Sequence, residues 1–248
     1  MSRLLPILCI PLLIACEGGK GREVLYFHTA ASLRDAVTEI ASVWEERSGQ
    51  RVLPIFASSS TLALQIEKGA EADLFLPANP LWADHVEAHR AVLSRKDLLG
   101  GRLALVCPPG NPAHIRGIAD LGSANVKDIA LGDPRHVPAG IYAVEWLKAA
   151  GLYEDTHKKL RPAKDVRAAL SWVERREADA GLVYASDALR SLVETLDLID
   201  PPTAIRYPLL LLEAPSGKPK AGTEALFDWL SGPEAGALFR SYGFSPLE

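Results

Sequence analysis

The sequence has 248 residues, of which 48% are hydrophobic and 23% charged, an ordinary composition for a globular protein. This composition excludes a disordered tail, a collagen-like fibre and a protein that crosses the membrane many times. The formal net charge is −4, and the 27 basic and 31 acidic residues are interspersed, so we expect no nucleic acid as a partner.

The chain begins with a segment that is typical of a secretory signal. Residues 4–15 are apolar and follow a single Arg3. They are too few to span a membrane, which takes about 20 residues. The end of the segment, Leu13-Ile14-Ala15-Cys16, resembles the lipobox of bacterial lipoproteins, in which the cut falls before a cysteine that is then lipidated. We therefore predict a lipoprotein signal peptide over 1–15 and a tether over 16–23. The alternative is an ordinary signal peptide with an incidental Cys16.

Strand-like and helix-like segments alternate through the rest of the chain. Short apolar runs predict strands at 24–27, 52–56, 73–76, 103–106, 129–131, 181–184 and 207–212. Helical spacing of apolar residues predicts helices at 33–44, 62–66, 142–147 and 166–173. This alternation indicates an α/β fold with mainly parallel sheets flanked by helices. Cys107 falls in one of the strands, so we expect a small buried residue there and not a reactive thiol.

Two stretches of glycine and proline divide the chain. Gly100-Gly101 precedes one predicted strand and Asp200-Pro201-Pro202 precedes another. If the chain crosses between lobes at both places, residues 24–100 and 206–248 form lobe 1 and residues 102–200 form lobe 2. A cleft between two lobes is a natural place for a ligand.

Several predicted strands are followed by a small polar turn and then by a helix. Junctions with polar residues at or near the strand end lie at Ser32, residues 58–61, Pro138, Asp165 and Tyr184. Ser32 and Asp35 have the spacing of a capping box, Pro138 suits a first helical turn, and Asp165 can cap a helix from Val166. The first turn of a helix has unpaired N–H groups and a partial positive charge, so converging helix starts can bind a small anion. Caps and turns are also common without any ligand, and the spacing alone leaves both interpretations open.

Six motifs lie in order from about residue 24 to the C-terminus: AASLRDAV, FASSSTLALQIEKGAEADLF, LGDPRHVPAGIYA, PAKDVRAAL, GLVYASDA and GPEAGALFRSYGF. They resemble the periplasmic molybdate-binding proteins of ABC importers. The resemblance implies a two-lobed periplasmic binding protein fold with the ligand cleft between the lobes. It also implies a protein that is not an enzyme, has no cofactor and binds molybdate or tungstate. The oxyanion contacts implied by the matching positions are the hydroxyls of Ser32, Ser59 and Tyr184 and the backbone amides of Ala139 and Val166.

The resemblance also implies the setting of the protein. We expect a monomer, periplasmic or held to the cell envelope by a lipid on Cys16, that delivers its ligand to a membrane permease driven by an ATPase. The molybdenum is bound as the oxyanion, so no side chain is expected to ligate a metal directly.

Two alternatives to this function remain. The same cleft could serve sulfate or phosphate, although hydrogen phosphate needs an acceptor for its proton and none of the five contacts is a carboxylate. A secreted serine hydrolase would use Ser59 with His136 and Asp133, but Ser59 lacks the G-x-S-x-G turn.

Separately, His85 and His89 have a spacing that can ligate zinc, but no third ligand is evident, so we expect a solvated helix face. Arg34, Arg135 and Arg167 flank the proposed contacts, and we expect them in salt bridges or in steering the anion.

Overall fold

Two β-sheets with helices on their faces form the protein. The computed structural model describes residues 23–214 and 217–247, so the predicted signal and Cys16 lie outside the described residues. The strands are β1 (Leu25–Ala30), β2 (Val52–Ala57), β3 (Leu74–Leu76), β4 (Val92–Gly101), β5 (Leu103–Cys107), β6 (Ile129–Gly132), β7 (Leu160–Ala163), β8 (Ala180–Tyr184), β9 (Glu194–Ile199), β10 (Ile205–Leu212) and β11 (Ser245–Pro246).

The helices lie mostly between consecutive strands. They are α1 (Arg34–Ser48), α2 (Ser59–Glu67), α3 (Pro80–His89), α4 (Pro138–Ala149), α5 (Tyr153–Thr156), α6 (Val166–Glu174), α7 (Ala185–Ala188), α8 (Thr223–Leu230) and α9 (Pro233–Ser241). Short 3-10 turns lie at Ala31–Leu33, Ile118–Gly122 and His157–Lys159. Within the described ranges we find no helix with the length and hydrophobicity of a membrane span.

The strands form two separate sheets. Sheet A has the order β11-β4-β10-β3-β1-β2 and sheet B the order β7-β6-β8-β5-β9. The strands of sheet A come from residues 25–101 and 205–246, and those of sheet B come from residues 103–199. The chain therefore passes between the sheets twice, at Arg102 and at residues 200–204.

The α/β fold class is confirmed, and each sheet is mixed. The neighbours β2-β1-β3 and β7-β6-β8 run parallel, as expected from the helices that connect them. The other neighbours run antiparallel, so the expectation of mainly parallel strands holds only for these halves. In sheet B, β5 runs antiparallel to β8 because the chain enters this sheet directly from sheet A. The first residue of β5, Leu103, therefore lies opposite the last residue of β8, Tyr184.

Four strands were not predicted, namely β4, β7, β9 and β11. Three of them, β7, β9 and β11, are edge strands. Edge strands carry polar residues and lack a continuous apolar run, which removes the sequence signal. The fourth, β4, has the polar stretch 94–97 at its centre.

The core has two parts that matter for the site. A large buried cluster covers both sheets, and a smaller one packs α2 and α3 onto sheet A through Leu62, Ile66, Val86 and Leu210. Cys107 is fully buried, and burial raises the pKa of its thiol to about 11, which confirms that it is a small core residue.

A close backbone approach fixes the start of α4 against the end of β6. A Cβ atom added to Gly140 would lie 1.8 Å from the carbonyl oxygen of Gly132, so residue 140 has no room for a side chain. Because of this contact, the first turn of α4 lies directly beside the carboxyl end of β6 in sheet B.

Candidate ligand-binding site

The carboxyl ends of the parallel strands of both sheets face one cavity. Sheet A and its helices contribute Ala30, Ala31, Ser32, Ser58, Ser59 and Ala78, and sheet B and its helices contribute Val137, Pro138, Ala139, Asp165, Val166 and Tyr184. The space that these residues enclose is small, about 210 Å³, and part of it opens to solvent. The position agrees with the general rule that ligands of open α/β sheets bind beyond the carboxyl ends of the strands.

The structure brings all five predicted contact residues into this cavity. Ser32 and Ser59 lie on one side, and Ala139, Val166 and Tyr184 lie on the other. Each of them is almost completely buried. A ligand held here would therefore be separated from bulk water and would contact both halves of the protein.

The predicted capping box at Ser32 is wrong. Ser32 lies inside the 3-10 turn Ala31–Leu33, and α1 starts at Arg34 with Leu33 as its N-cap and without a side-chain cap. Asp35 pairs with Arg167 on α6, at 2.7 Å, so it does not complete a box. The Ser32 hydroxyl is buried and has no hydrogen-bond partner. It is thus left available for a ligand.

The hydroxyls at the start of α2 divide into a cap and a free donor. Ser58 is the N-cap, and its hydroxyl accepts the Thr61 N–H at 3.2 Å. Ser59 Oγ accepts the N–H of Ala78 at 2.9 Å. Because that bond uses the oxygen as an acceptor, the Ser59 proton remains free to be donated into the cavity.

Tyr184 ends β8, as predicted, and presents a phenol to the cavity. Its hydroxyl is buried without a hydrogen-bond partner, and burial raises its pKa well above the ordinary value of 10. The phenol therefore stays protonated near neutral pH and can only donate to an anion. A buried hydroxyl without a partner is costly, and because Tyr184 also lines the cavity, a ligand atom held there would satisfy it.

Two helix starts direct backbone N–H groups at the same space. Pro138 is the first residue of α4, as predicted, and has no N–H, so Ala139 supplies the first amide donor of this helix. Asp165 caps α6, as predicted, by accepting the Ala168 N–H at 2.8 Å, and the amide of Val166 is left in the first turn. First-turn amides have no partner within their own helix and lie at the positive end of its dipole.

The cavity wall is nearly free of charged side chains. Among the described residues no lysine or arginine lines it, and Asp165 is the one carboxylate that does. The guanidinium of Arg34 lies 4.5 Å from the centre of the Phe56 ring. Arg135 pairs with Asp133 as expected. A bound anion would thus be held by neutral donors, with arginines outside.

Contacts across the cavity hold the two sides together. Arg167 of α6 binds Asp35 of α1 at 2.7 Å and also approaches the carbonyl oxygen of Ser32 at 3.5 Å. On the other flank, Nδ1 of His136 lies 3.0 Å from Ser60 Oγ, and the indole N–H of Trp82 donates to the His136 carbonyl at 2.9 Å. These contacts close the cavity on both flanks.

The hydrolase alternative is not supported by this geometry. His136 contacts Ser60 and not Ser59, and its Nε2 lies 3.6 Å from Asp133, too far for a hydrogen bond. Both oxygens of Asp133 bind Arg135, whose hydrogen bonds lower the Asp133 pKa to about 2. Neither Ser59 nor Ser60 thus has the oriented histidine and carboxylate that nucleophilic catalysis requires.

Sequence reasoning missed Asp187, Ala78 and Trp82. Asp187 is fully buried at 2.6 Å from the Nε of Arg167, so this arginine bridges two carboxylates, one on each side of the cavity. Burial raises the Asp187 pKa to about 7 despite the nearby guanidinium. These pairings join residues that are distant in sequence, and only the motif VYASDA around Asp187 offered any signal.

Comparison with known proteins gives a consistent result. A family model described as bacterial extracellular solute-binding protein matches residues 25–245. The molybdate-binding protein ModA of Escherichia coli (strain K12) is 41% identical over 226 residues, which cover 87% of this chain and 86% of that protein. ModA of Haemophilus influenzae is 35% identical over 225 residues and 87% of each chain. In fold, the periplasmic molybdate-binding protein of Azotobacter vinelandii matches with a TM-score of 0.77 at 22% identity, over 90% of this chain and all of that one.

The unequal burial of the two Arg167 partners gives a test that needs no ligand. Arg167→Gln leaves Asp187 buried without its cation, which we expect to lower the free energy of unfolding by about 3–5 kcal/mol at pH 8. Asp35→Asn, the matched control, removes only the 42% exposed partner and should cost no more than about 1 kcal/mol.

Urea denaturation at several pH values measures both variants. Because Arg167 lowers the Asp187 pKa, its removal raises that pKa above about 7, so the deficit of Arg167→Gln should shrink as the pH falls toward 7 and level off below it. Equal losses in the two variants would contradict this assignment.

Proposed function

The chain belongs to the family of bacterial extracellular solute-binding proteins, and on that premise we propose that it captures molybdate in the cavity between its two sheets. The observation that carries the proposal is the pair of buried hydroxyls, on Ser32 and Tyr184, that face the cavity without a partner. The molybdate-binding relatives at 41% and 35% identity support this choice of ligand.

Capture requires no covalent step. A tetrahedral dianion enters while the two sides are apart, and Ser32 and Ser59 bind it from sheet A. Ala139, Val166 and Tyr184 then bind from sheet B as the cavity closes. Closure removes water from around the ion, and a hydrogen bond to a charged acceptor is stronger in such a medium. The bonds of Arg167 to Asp35 and of Trp82 to His136 hold the closed state.

Neutral donors suit an ion that must later be released. A lysine or arginine in the wall would add a strong attraction to any anion, whatever its size. Amides and hydroxyls at fixed positions instead bind most tightly an ion whose oxygens reach all of them at once. Sulfate is smaller and cannot reach every donor without straining the closed state. Tungstate has nearly the same shape as molybdate, so we expect it to bind alike.

Phosphate is disfavoured for a different reason. A hydrogen phosphate ion carries a proton that needs an acceptor in the wall. Asp165 is the single carboxylate that lines the cavity within the described part of the chain, and its Oδ1 accepts the Ala168 N–H as the cap of α6. Its Oδ2 is then the one carboxylate oxygen in this lining that could accept such a proton, whereas a fully ionised oxyanion needs none.

The same proposal covers the setting of the protein. The loaded, closed form would dock on a membrane permease that a cytoplasmic ATPase drives, and the protein would act as a periplasmic or envelope-bound monomer. An anchor on Cys16 would keep it near the membrane through one lipidated residue and the tether that follows.

Membrane fractionation tests the anchor. We expect the protein produced from its full sequence to remain with the membrane fraction, and Cys16→Ser to move to the soluble fraction, since the lipid is the attachment. Cys107→Ser serves as the matched control and should stay with the membranes. A protein that is soluble before any substitution would contradict the anchor and leave the ligand assignment untouched.

Calorimetry with molybdate, tungstate, sulfate and phosphate tests the ligand. We expect binding of one ion per chain for the first two and no measurable heat for the others, because donor positions select size and full ionisation. Tight binding of sulfate or phosphate would overturn the ligand and keep the cavity. No binding of any of the four would overturn the proposal.

Tyr184→Phe tests the donor that sheet B contributes through a side chain. Loss of a hydrogen bond to a charged group should weaken molybdate binding by about 1.5–3 kcal/mol, a roughly 10- to 150-fold rise in Kd. Tyr142→Phe removes another buried phenol hydroxyl, on α4 and outside the cavity lining, and should leave Kd unchanged. An unchanged Kd in Tyr184→Phe would remove Tyr184 from the site.

A further inference from the structure

A second group of ligand-type side chains lies away from the cavity, where the end of α2 meets α3. Glu67 is the last residue of α2, and His85 and His89 lie one turn apart on α3. His85 Nε2 is 2.8 Å from Glu67 Oε2, and His89 Nε2 is 3.9 Å from Glu67 Oε1. The three ligand atoms lie within 4.8 Å of one another, the one such group of three within the described ranges. The sequence offered the two histidines, and the fold adds the third ligand.

We propose that Glu67, His85 and His89 form a binding site for a divalent transition-metal ion of the zinc class. Two imidazole nitrogens and one carboxylate oxygen are a ligand set that zinc takes in proteins, with a water in the fourth position. Tetrahedral zinc with bonds of about 2.0–2.2 Å places its ligand atoms ~3.4 Å apart. The separations of 2.8 and 3.9 Å lie on either side of that value, so small side-chain rotations suffice.

The protonation pattern already suits a metal. Nδ1 of His89 lies 2.7 Å from the carbonyl oxygen of His85, which can only accept, so that nitrogen carries the proton and Nε2 keeps its lone pair when the ring is neutral. This carbonyl contact also fixes the ring, as outer partners of metal-bound histidines do. The hydrogen bond from His85 lowers the pKa of Glu67, which is therefore ionised. On metal binding, the His85 proton moves from Nε2 to Nδ1 or to solvent.

The residues around the three ligands leave the site open to solvent, and one nearby charge lowers its affinity for a cation. The three side chains are 27–42% exposed, which leaves room for a water on the metal. The nearby carboxylates Asp84 and Glu87 are occupied by Arg95 and do not compete for the ion. Lys68 is a further positive charge that acts on Glu67, and it weakens the attraction for a cation.

A metal ion here would link the C-terminal ends of α2 and α3. The N-terminal ends of the same two helices carry residues that line the cavity or form contacts across it. Ser59 starts α2, and α3 carries Trp82, whose indole N–H donates to His136 across the cavity. The His85 ring lies against Trp82, with ring centres 5.4 Å apart. The site shares no residue with the oxyanion cavity, and it stands whether or not molybdate is the ligand there.

Calorimetry of the purified protein with zinc chloride, in a buffer without chelating groups, tests the site. We expect saturable binding of one zinc ion per chain and a Tm that rises with zinc concentration. Glu67→Gln and His89→Gln should each weaken binding by more than about tenfold, since even outer partners of a metal site are worth 10- to 100-fold. Cobalt as a spectroscopic probe should give the visible bands of a four-coordinate site, and these should be lost in both variants.

His157→Gln is the matched control, because it removes a histidine from the 3-10 turn before β7 of sheet B, whereas α2 and α3 pack on sheet A. It should bind zinc as the unaltered protein does. Circular dichroism and the Tm of all three variants without zinc show that each is folded, whether or not molybdate binds in the cavity. No saturable zinc binding up to about 1 mM, a clear excess over a typical protein site, would overturn the proposal. An equal loss in His157→Gln, or no loss in Glu67→Gln, would overturn it as well.

Discussion

The central constraint in this protein is that buried hydrogen-bond donors must find an acceptor. Five chain segments end their strands at one cavity and leave hydroxyls or first-turn amides there, and Ser32 and Tyr184 have no partner among the described residues. In water such groups would be solvated, but here they are buried, and each unsatisfied donor costs free energy. An anion with several oxygens would satisfy them together. On the proposed function, the donors that bind the ligand are thus already positioned by the fold before the ligand arrives.

Much of the remaining architecture serves to bring these donors together and close them off. The contact of Gly140 with Gly132 sets the first turn of α4 against sheet B, and the bond from Ala78 to Ser59 orients a hydroxyl on sheet A. Arg167 contributes its charge to two carboxylates and not to the cavity. In the proposed function, its position beside Val166 would let α6 serve both as an anion-binding helix start and as one half of the closing contact.

The sequence predicted the parts of the site that depend on local chemistry. Pro138 and Asp165 mark their helix starts because a missing N–H and a capping carboxylate act within one turn, and the sequence motifs pointed to the next residue of each segment, Ala139 and Val166. It failed at Ser32, where tertiary pairing of Asp35 with Arg167 replaced a local capping box. It also missed the polar edge strands and the partners of His85 and Arg167, because these depend on residues brought together only by the sheets.

The most direct test is a crystal structure of the protein grown with molybdate, with data collected at the molybdenum absorption edge. The account predicts one anomalous peak per chain between Ser32, Ser59, Ala139, Val166 and Tyr184, with the ion's oxygens about 2.7–3.2 Å from their hydroxyls and amides. A peak elsewhere, or an ion in the cavity bound mainly by lysine or arginine side chains, would contradict it.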